Sequence, residues 1–432
     1  MMNKILKNSI KNNTSVSFVS KVKIVFFLFM ALYTMQPYFF WNRQIIQFFF
    51  ASCILLFFVI QFTVNNGYGK RNINKNVTKQ IIILIVFFVY WHFFKMLYQY
   101  VNIFGILGNV IMWFLPVLIF LISSIEEKNI FLDFFTNLMA VILSISLLAY
   151  LYVLFGGTLA CSKITMANNK FYDYFENYKF FIVVHDSRNF SIFARFQSIF
   201  TEPGHLSMMA ALLLYANNYR LKKWQNLVIF LSLIFTLSLA GYVLLIAGIF
   251  LHRFARSEKK IPMFLALFFV GILFCGITLV YYNSNPDSLV SRAIISRLIP
   301  DKKRGFSGNN RNTVRFKNAY KVFLEEGSIR TFTGWGNSMA REFPEGGNAS
   351  YKNFIYEYGV IGFCLLWIMY LCFTGGATNL LPLCFFLLYI LSFLQRPYAT
   401  WLSQVFIFIS YCSKDNSNFV LKEINSNRKI KR

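Results

Sequence analysis

A chain of 432 residues with 57% hydrophobic and only 14% charged side chains, 53 of its residues Phe, is excluded from the ordinary soluble classes. Its apolar runs repeatedly approach the roughly 20 residues that cross a bilayer. The formal net charge of +26 would suggest nucleic acid in a soluble protein, but Lys and Arg gather in short segments between apolar runs, where they set orientation, so nucleic acid is not an expected partner.

In chain order, a polar N-terminal tail over residues 1–23 carries Lys4, Lys7, Lys11, Lys21 and Lys23. The apolar run after it is long enough to stay in the membrane, so no cleavable leader is expected. Apolar runs at 24–40, 45–63, 81–97, 103–122 and 131–155 form an N-terminal membrane block, 24–155. A first polar loop spans 156–204, followed by central spans over 205–281 (205–219, 226–251 and 261–281), a large polar loop over 282–353, and spans at 354–373, 380–394 and 401–412. A basic tail occupies 413–432. The expected fold is an all-α polytopic membrane protein of about 11–12 transmembrane helices with two large extracytoplasmic loops.

The lysine-rich N-terminus, residues 70–79, 220–223 and 253–260, and the C-terminal tail all prefer the cytoplasm, which puts both termini inside and both large loops outside. Run 226–251 conflicts with this, because basic clusters flank it on both sides. At 1.5 Å per residue it is about 39 Å long, too short for two full spans and long for one. The segment Leu237 to Gly241 offers a break, which makes two half-helices forming a hairpin the favoured form, with one tilted span as the other.

Arg195 to His205 places ionisable groups directly before an apolar run, a costly arrangement at a membrane edge and so a functional candidate. Pro203 suits a first helical turn and disfavours helix at Glu202. Glu202 then either favours the helix N-terminus through the dipole or acts as a base or sugar ligand. His205 is either a hydrogen-bonded structural side chain or an acid–base group, since imidazole ordinarily titrates near about 6.5. In the large loop, residues 309–326 have helical periodicity with Gly327 as a stop, and on such a helix Arg311 and Arg315 lie four apart on one face. Paired guanidiniums point to an anionic ligand, with a solvated face or lipid headgroup contact as the alternative.

Asn348, Ser350 and Tyr351 precede the next span and offer neutral hydrogen bonds to sugar hydroxyls or N-capping. Glu357, inside that span, needs a partner. Tyr172, Tyr174 and Tyr178 are candidates to stack on sugars. Six of the seven cysteines, Cys53, Cys275, Cys364, Cys372, Cys384 and Cys412, lie in or beside apolar runs, and neither a disulfide framework nor a metal-ligand spacing is present in the sequence.

Four pieces together, Arg195 to His205, the Leu237 to Gly241 break, the arginine-bearing loop helix, and Gly334-Trp335-Gly336 followed by Gly346 to Gly362, resemble the bacterial O-antigen polymerase (Wzy-type) and O-antigen ligase superfamily. The similarity covers roughly 188–362. An Arg followed sixteen positions later by Gly, a feature of the polymerases, is matched by Arg188 with Gly204 and by Arg311 with Gly327, and also by Arg292 with Gly308 and Arg330 with Gly346. Two departures stand out: Leu239 follows Ser238 where many relatives have Arg, and the Gly347-Asn348 motif lacks the His usual in ligases.

The resemblance implies a glycosyltransferase on the outer face of the inner membrane, joining undecaprenyl-diphosphate-linked oligosaccharides; apart from Glu325-Glu326, which point different ways on a helix, the outer loops hold no acidic pair at ligand spacing, so a metal-independent, cofactor-free reaction is expected, and direct displacement at C1 would give inversion. Its implied partners are those lipid-linked sugars, the lipid bilayer and a chain-length regulator protein. Arg195, Glu202, His205, Arg311 and Arg315 are the catalytic candidates, the arginines replacing a divalent cation, and Arg188, Asn348 and Tyr351 the substrate-binding ones. A ligase transferring glycan to lipid A core or protein is the alternative, and a transporter or flippase, suggested by the broken helix, a second.

Overall fold

The computed structural model describes residues 17–41, 43–64, 75–98, 103–166, 174–185, 195–285, 288, 300–301, 305–306, 312–336, 342–343, 350–375 and 380–413. The first half contains α1 (Phe18–Thr34), α2 (Gln44–Val64), α3 (Lys75–Tyr98), α4 (Ile103–Ile122, passing through a π-turn at Val110–Phe114) and α5 (Ile125–Leu154). After the first polar loop come α6 (Pro203–Ala216), α7 (Trp224–Phe235), α8 (Leu239–Arg256) and α9 (Lys260–Ser284). Two loop helices, α10 (Val314–Glu325) and α11 (Ile329–Thr333), precede α12 (Tyr351–Phe373), α13 (Leu380–Gln395) and α14 (Leu402–Ser413).

This is a helical membrane protein. Among the described residues five helices, α2, α4, α5, α8 and α12, are long and apolar enough to cross a bilayer. On α5, Phe134, Val141, Ile145, Leu148 and Tyr152 recur at helical spacing on an exposed face, while Phe131, Phe135, Met139 and Leu143 are buried behind it. Apolar residues outward as well as inward are what lipid contact requires. By contrast α6 is buried along its whole length, from Pro203 to Ala216, and α14 is buried from Leu402 to Cys412. Helices hydrophobic all round belong at the centre of a bundle, and α6 is the central one that carries the ionisable segment on its first turn.

The chain is predominantly helical, as expected, and the described residues add two small antiparallel sheets, the lesser pairing Pro300–Asp301 with Gly305–Phe306. The first polar loop holds a three-stranded antiparallel sheet, β1 (Ser162–Ile164), β2 (Tyr174–Asn177) and β3 (Ile182–His185). Phe175 and Ile182 are buried from this sheet against Trp41 in the α1–α2 connection, with the Trp41 and Phe175 rings 4.8 Å apart. The β-branched run Ile182 to Val184 supplies the strand propensity.

The helices alternate, so polar connections gather at two ends. At one end Lys23 of α1, fully buried, pairs with Glu127 at 3.1 Å on the first turn of α5. Gln61 of α2 accepts from Lys23 at 2.7 Å and donates to Ser20 at 2.9 Å. Thus Lys23, the last residue assigned to the polar tail, lies inside α1, which starts five residues earlier behind the Ser17 cap. Two charges removed from water persist only when paired and hydrogen-bonded, which this cluster achieves across three helices.

The same end receives α7 and α8. Helix α7 leaves it at Lys223, and α8 returns to it: His252 Nε2 and Arg256 Nη2 both donate to Asn218 Oδ1, at 3.0 and 2.7 Å. Between them the helix is interrupted. Leu237 adopts a positive φ of 47°, and Ser238 caps α8 by accepting from the Gly241 N–H at 3.4 Å. The two basic clusters, 220–223 and 253–260, therefore stand on the same side of the bundle, because α7 and α8 meet at a polar turn at the opposite end; α8, at 18 residues, is itself long enough to cross rather than the half-helix expected.

Candidate functional site

The opposite end collects the α1–α2 connection, the small sheet, the segment from Arg195 to Glu202, the α7–α8 break and the α13–α14 connection. Phe196 to Thr201 is buried yet irregular, so its backbone groups find partners outside regular structure. The Tyr38 N–H donates to Ile199 at 2.9 Å and the Ile182 N–H to Ser198 at 2.8 Å. The Ser198 hydroxyl meets Ser146 of α5 at 2.8 Å. Arg195 is fixed at the break, its Nε donating to the Thr236 carbonyl at 3.1 Å, while the Phe196 N–H donates to Phe235.

Glu202 occupies the N-cap position of α6 in extended conformation, followed by Pro203 at the first helical turn. Its carboxylate does not cap the helix. It forms an ion pair with Arg396, from the connection after α13. Arg396 Nη1 donates to the Tyr398 hydroxyl at 2.9 Å, and the same hydroxyl lies 2.9 Å from His205 Nε2. The His205 ring stands edge-on to both Tyr398 and Trp401, whose own rings stack at 4.0 Å. Burial works against the charge on Arg396, but Tyr398 and Glu202 beside it outweigh that and raise its pKa above the ordinary guanidinium value.

Carboxylate, guanidinium, phenol and imidazole therefore form one connected row at the head of the central helix. The guanidinium lies flat against the first turn of α6: a Cβ on Gly204 would stand 3.0 Å from Nη2 and 3.1 Å from Nε of Arg396. An alanine there would press on the guanidinium, which would have to shift by a few tenths of an ångström. The role of Gly204 in this row is thus steric, and a spacing to Arg188 is not needed to account for it.

A second assembly forms where the loop helices meet α12. Gly359 departs from helical geometry with φ 67° and ψ −178°, a region essentially confined to glycine, and kinks α12. Against the kink lies the segment after α11: the Trp335 N–H donates to Tyr356 and the Gly336 N–H to Glu357, both at 2.8 Å. Tyr90 of α3 closes the joint, donating to the Tyr358 carbonyl at 2.9 Å. The Gly-Trp-Gly and Glu-x-Gly motifs are thus two halves of one backbone joint.

Above it Phe316, Tyr320, Phe323, Phe343 and Tyr356 form a small separate core, and Arg330 covers Trp335 at 3.9 Å. The joint stands at the same end as the Arg396 row, since Phe354 packs on Phe393 near the end of α13 at 5.4 Å.

Of the sequence-derived candidates, the structure brings Glu202 and His205 together through Arg396 and Tyr398, and holds Arg195 at the break. Arg315 is exposed on α10, with its guanidinium 5.5 Å from the Phe343 ring. The expected stacking of Arg311 over Arg315 on one helix is corrected: Thr313 is the N-cap, its hydroxyl accepting from the Phe316 N–H at 3.2 Å, so α10 begins at Val314. Arg188, Arg311, Asn348 and Tyr172 lie outside the described residues.

Tyr351 opens α12 and packs half-buried on the main core. Ser350, at the N-cap, spends its hydroxyl on buried Asn312, exchanging hydrogen bonds at 2.8 and 3.1 Å. Tyr178 stacks on Phe181 at 4.7 Å and donates to Glu176 at 3.0 Å, which commits it to its own sheet. Tyr174 lies under the Lys163 ammonium at 4.6 Å.

Arg396, Tyr398 and Trp401 were not singled out in the sequence. A signal existed: Arg396-Pro397 interrupts a short connection between two apolar runs, where an arginine is costly unless it is used. No family model, curated protein or solved structure matches the chain.

Proposed function

We propose that the protein is a polysaccharide polymerase: a membrane glycosyltransferase that joins undecaprenyl-diphosphate-linked repeat units on the outer face of the bacterial inner membrane. Its termini are then cytoplasmic, and the end carrying the sheet and the Arg396 row faces outward. The observation that most supports this reading is that row, a cation held between a carboxylate and a phenol–imidazole pair, at the same end of the bundle as the fixed guanidinium of Arg195. Transfer from a lipid diphosphate needs such groups: cations for the departing diphosphate, and an acceptor to orient and deprotonate the attacking hydroxyl. The motif resemblance points the same way.

In this reading an acceptor sugar hydroxyl attacks C1 of the chain on its carrier, with inversion, and the diphosphate leaves towards arginine. Arg315, exposed on the loop helix, adds positive charge at the same end. The break between α7 and α8 favours one other reading, a transporter, because half-helix junctions serve as substrate sites in such proteins. Purified protein supplied with lipid-linked repeats decides between them. Polymer formed in detergent or nanodiscs supports the enzyme, and translocation in vesicles without new glycosidic bonds supports the transporter. A deletion strain that accumulates long glycan on its carrier, rather than single repeats, would indicate a ligase instead.

A further inference from the structure

Two ion pairs in this molecule differ in a way that assigns them different work. Lys23 and Glu127 are 0% and 4% exposed and sealed among three helices. Arg396 and Glu202 are 13% and 20% exposed, so an edge of that pair is open at the loop end. Glu202 stands at the N-cap position and yet does not cap α6. On Arg396, Nη2 contacts Glu202 and Nη1 donates to Tyr398, but buried Nε has no hydrogen-bond partner among the described residues. Arginine's planar fork suits two oxygens of one anion, and a buried guanidinium N–H without an acceptor carries a desolvation cost. The fork lies on the first turn of α6, where the helix dipole also favours negative charge.

We propose that Arg396 and the first turn of α6 form the seat of the substrate diphosphate, and that Glu202 is a resident carboxylate which an incoming phosphoryl oxygen displaces. This rests on the polymerase reading and deepens it. Displacement couples two events. The diphosphate takes the guanidinium, and the released Glu202 carboxylate becomes available to the attacking hydroxyl. As the new bond from that oxygen to C1 forms, its proton passes to Glu202. The bond from C1 to the diphosphate oxygen breaks, and the leaving group keeps the electron pair, its charge held by Arg396. No metal or oxidant enters the balance. Gly204 keeps the seat flat, and Tyr398 fixes the guanidinium plane.

The test is direct binding of farnesyl diphosphate to the full-length protein in phosphatidylcholine nanodiscs, by calorimetry, with inorganic pyrophosphate as a second probe. Removing the resident competitor raises the available fraction of the seat, so Glu202→Gln should bind the diphosphate about tenfold more tightly than wild type. Arg396→Lys loses the fork and Gly204→Ala pushes it off α6, and both should bind at least about tenfold more weakly. A monodisperse Glu202→Gln protein that binds no better than wild type overturns the proposal, as does wild-type affinity in Arg396→Lys. Should phosphatidylglycerol nanodiscs abolish farnesyl diphosphate binding, the seat belongs to headgroup phosphate and the diphosphate assignment falls. Binding is read without glycosyl transfer, so a wild-type protein that binds the diphosphate while making no polymer would sink the polymerase reading alone.

Discussion

Gly334 and Gly359 press backbone to backbone: a Cβ on Gly334 would collide with the Glu357 carbonyl, and one on Gly359 with the carbonyl of Phe332. Both have positive φ, 82° and 67°. The kink in α12 and the turn after α11 are therefore a single joint, and it holds the loop core at the end of the bundle where the Arg396 row lies.

Alanine at Gly359 should cost roughly 2–6 kcal/mol, adding backbone strain to overpacking. Thermal unfolding followed by fluorescence-detected size exclusion reads this directly. A Gly359→Ala protein with the wild-type midpoint would show that the joint is not rigid.

The Lys23–Glu127 pair predicts a strongly non-additive cycle. Lys23→Met alone leaves a buried carboxylate without its cation and should destabilise by about 3–5 kcal/mol, whereas Lys23→Met with Glu127→Leu should recover most of that. Unfolding midpoints of the two single variants and the double variant supply the coupling energy. Additive losses would contradict the burial of both charges.

At the α7–α8 break, substitutions distinguish an interrupted helix from a continuous one. Leu237 pays for a left-handed backbone that glycine adopts freely, so Leu237→Gly should stabilise by about 1 kcal/mol, while Ser238→Ala should cost about 1 kcal/mol as a lost cap. In a continuous span glycine would destabilise by a similar amount. A lower midpoint for Leu237→Gly would therefore argue against the break.

The return of α8 also fixes sidedness. Cysteines placed at Lys222 and Lys259 should be modified by an impermeant maleimide from the same side of the membrane, and one at Lys179 from the opposite side. Labelling of Lys222→Cys and Lys259→Cys from different sides would restore the single tilted span.

Much of this organisation was legible in the sequence, because bilayer crossing imposes length and charge rules on individual segments. The break at Ser238 followed from two basic flanks that a single crossing could not place on one side. The Glu202–Pro203 helix start followed from proline geometry. What escaped were relationships across the chain. Arg396 lies far from Glu202 in sequence, and nothing local announces their pairing. Lys23 read as a topological charge because its partner Glu127 lies beyond three further helices. Arg311 and Arg315 read as one helical face because periodicity ignores capping, and the Thr313 hydroxyl starts the helix between them. The small sheet was overlooked because three β-branched or apolar residues in a polar loop are too few to register as a period.

The central claim, that the Arg396 row performs glycosyl transfer, is tested most directly by supplying purified protein in nanodiscs with undecaprenyl-diphosphate-linked repeat units and resolving the products by chain length. Wild type should give a ladder of polymer without added metal, and Arg396→Ala and Arg195→Ala, each still monodisperse, should leave single repeats. A wild-type protein that forms no polymer, or an Arg396→Ala protein with a normal ladder, would contradict the account.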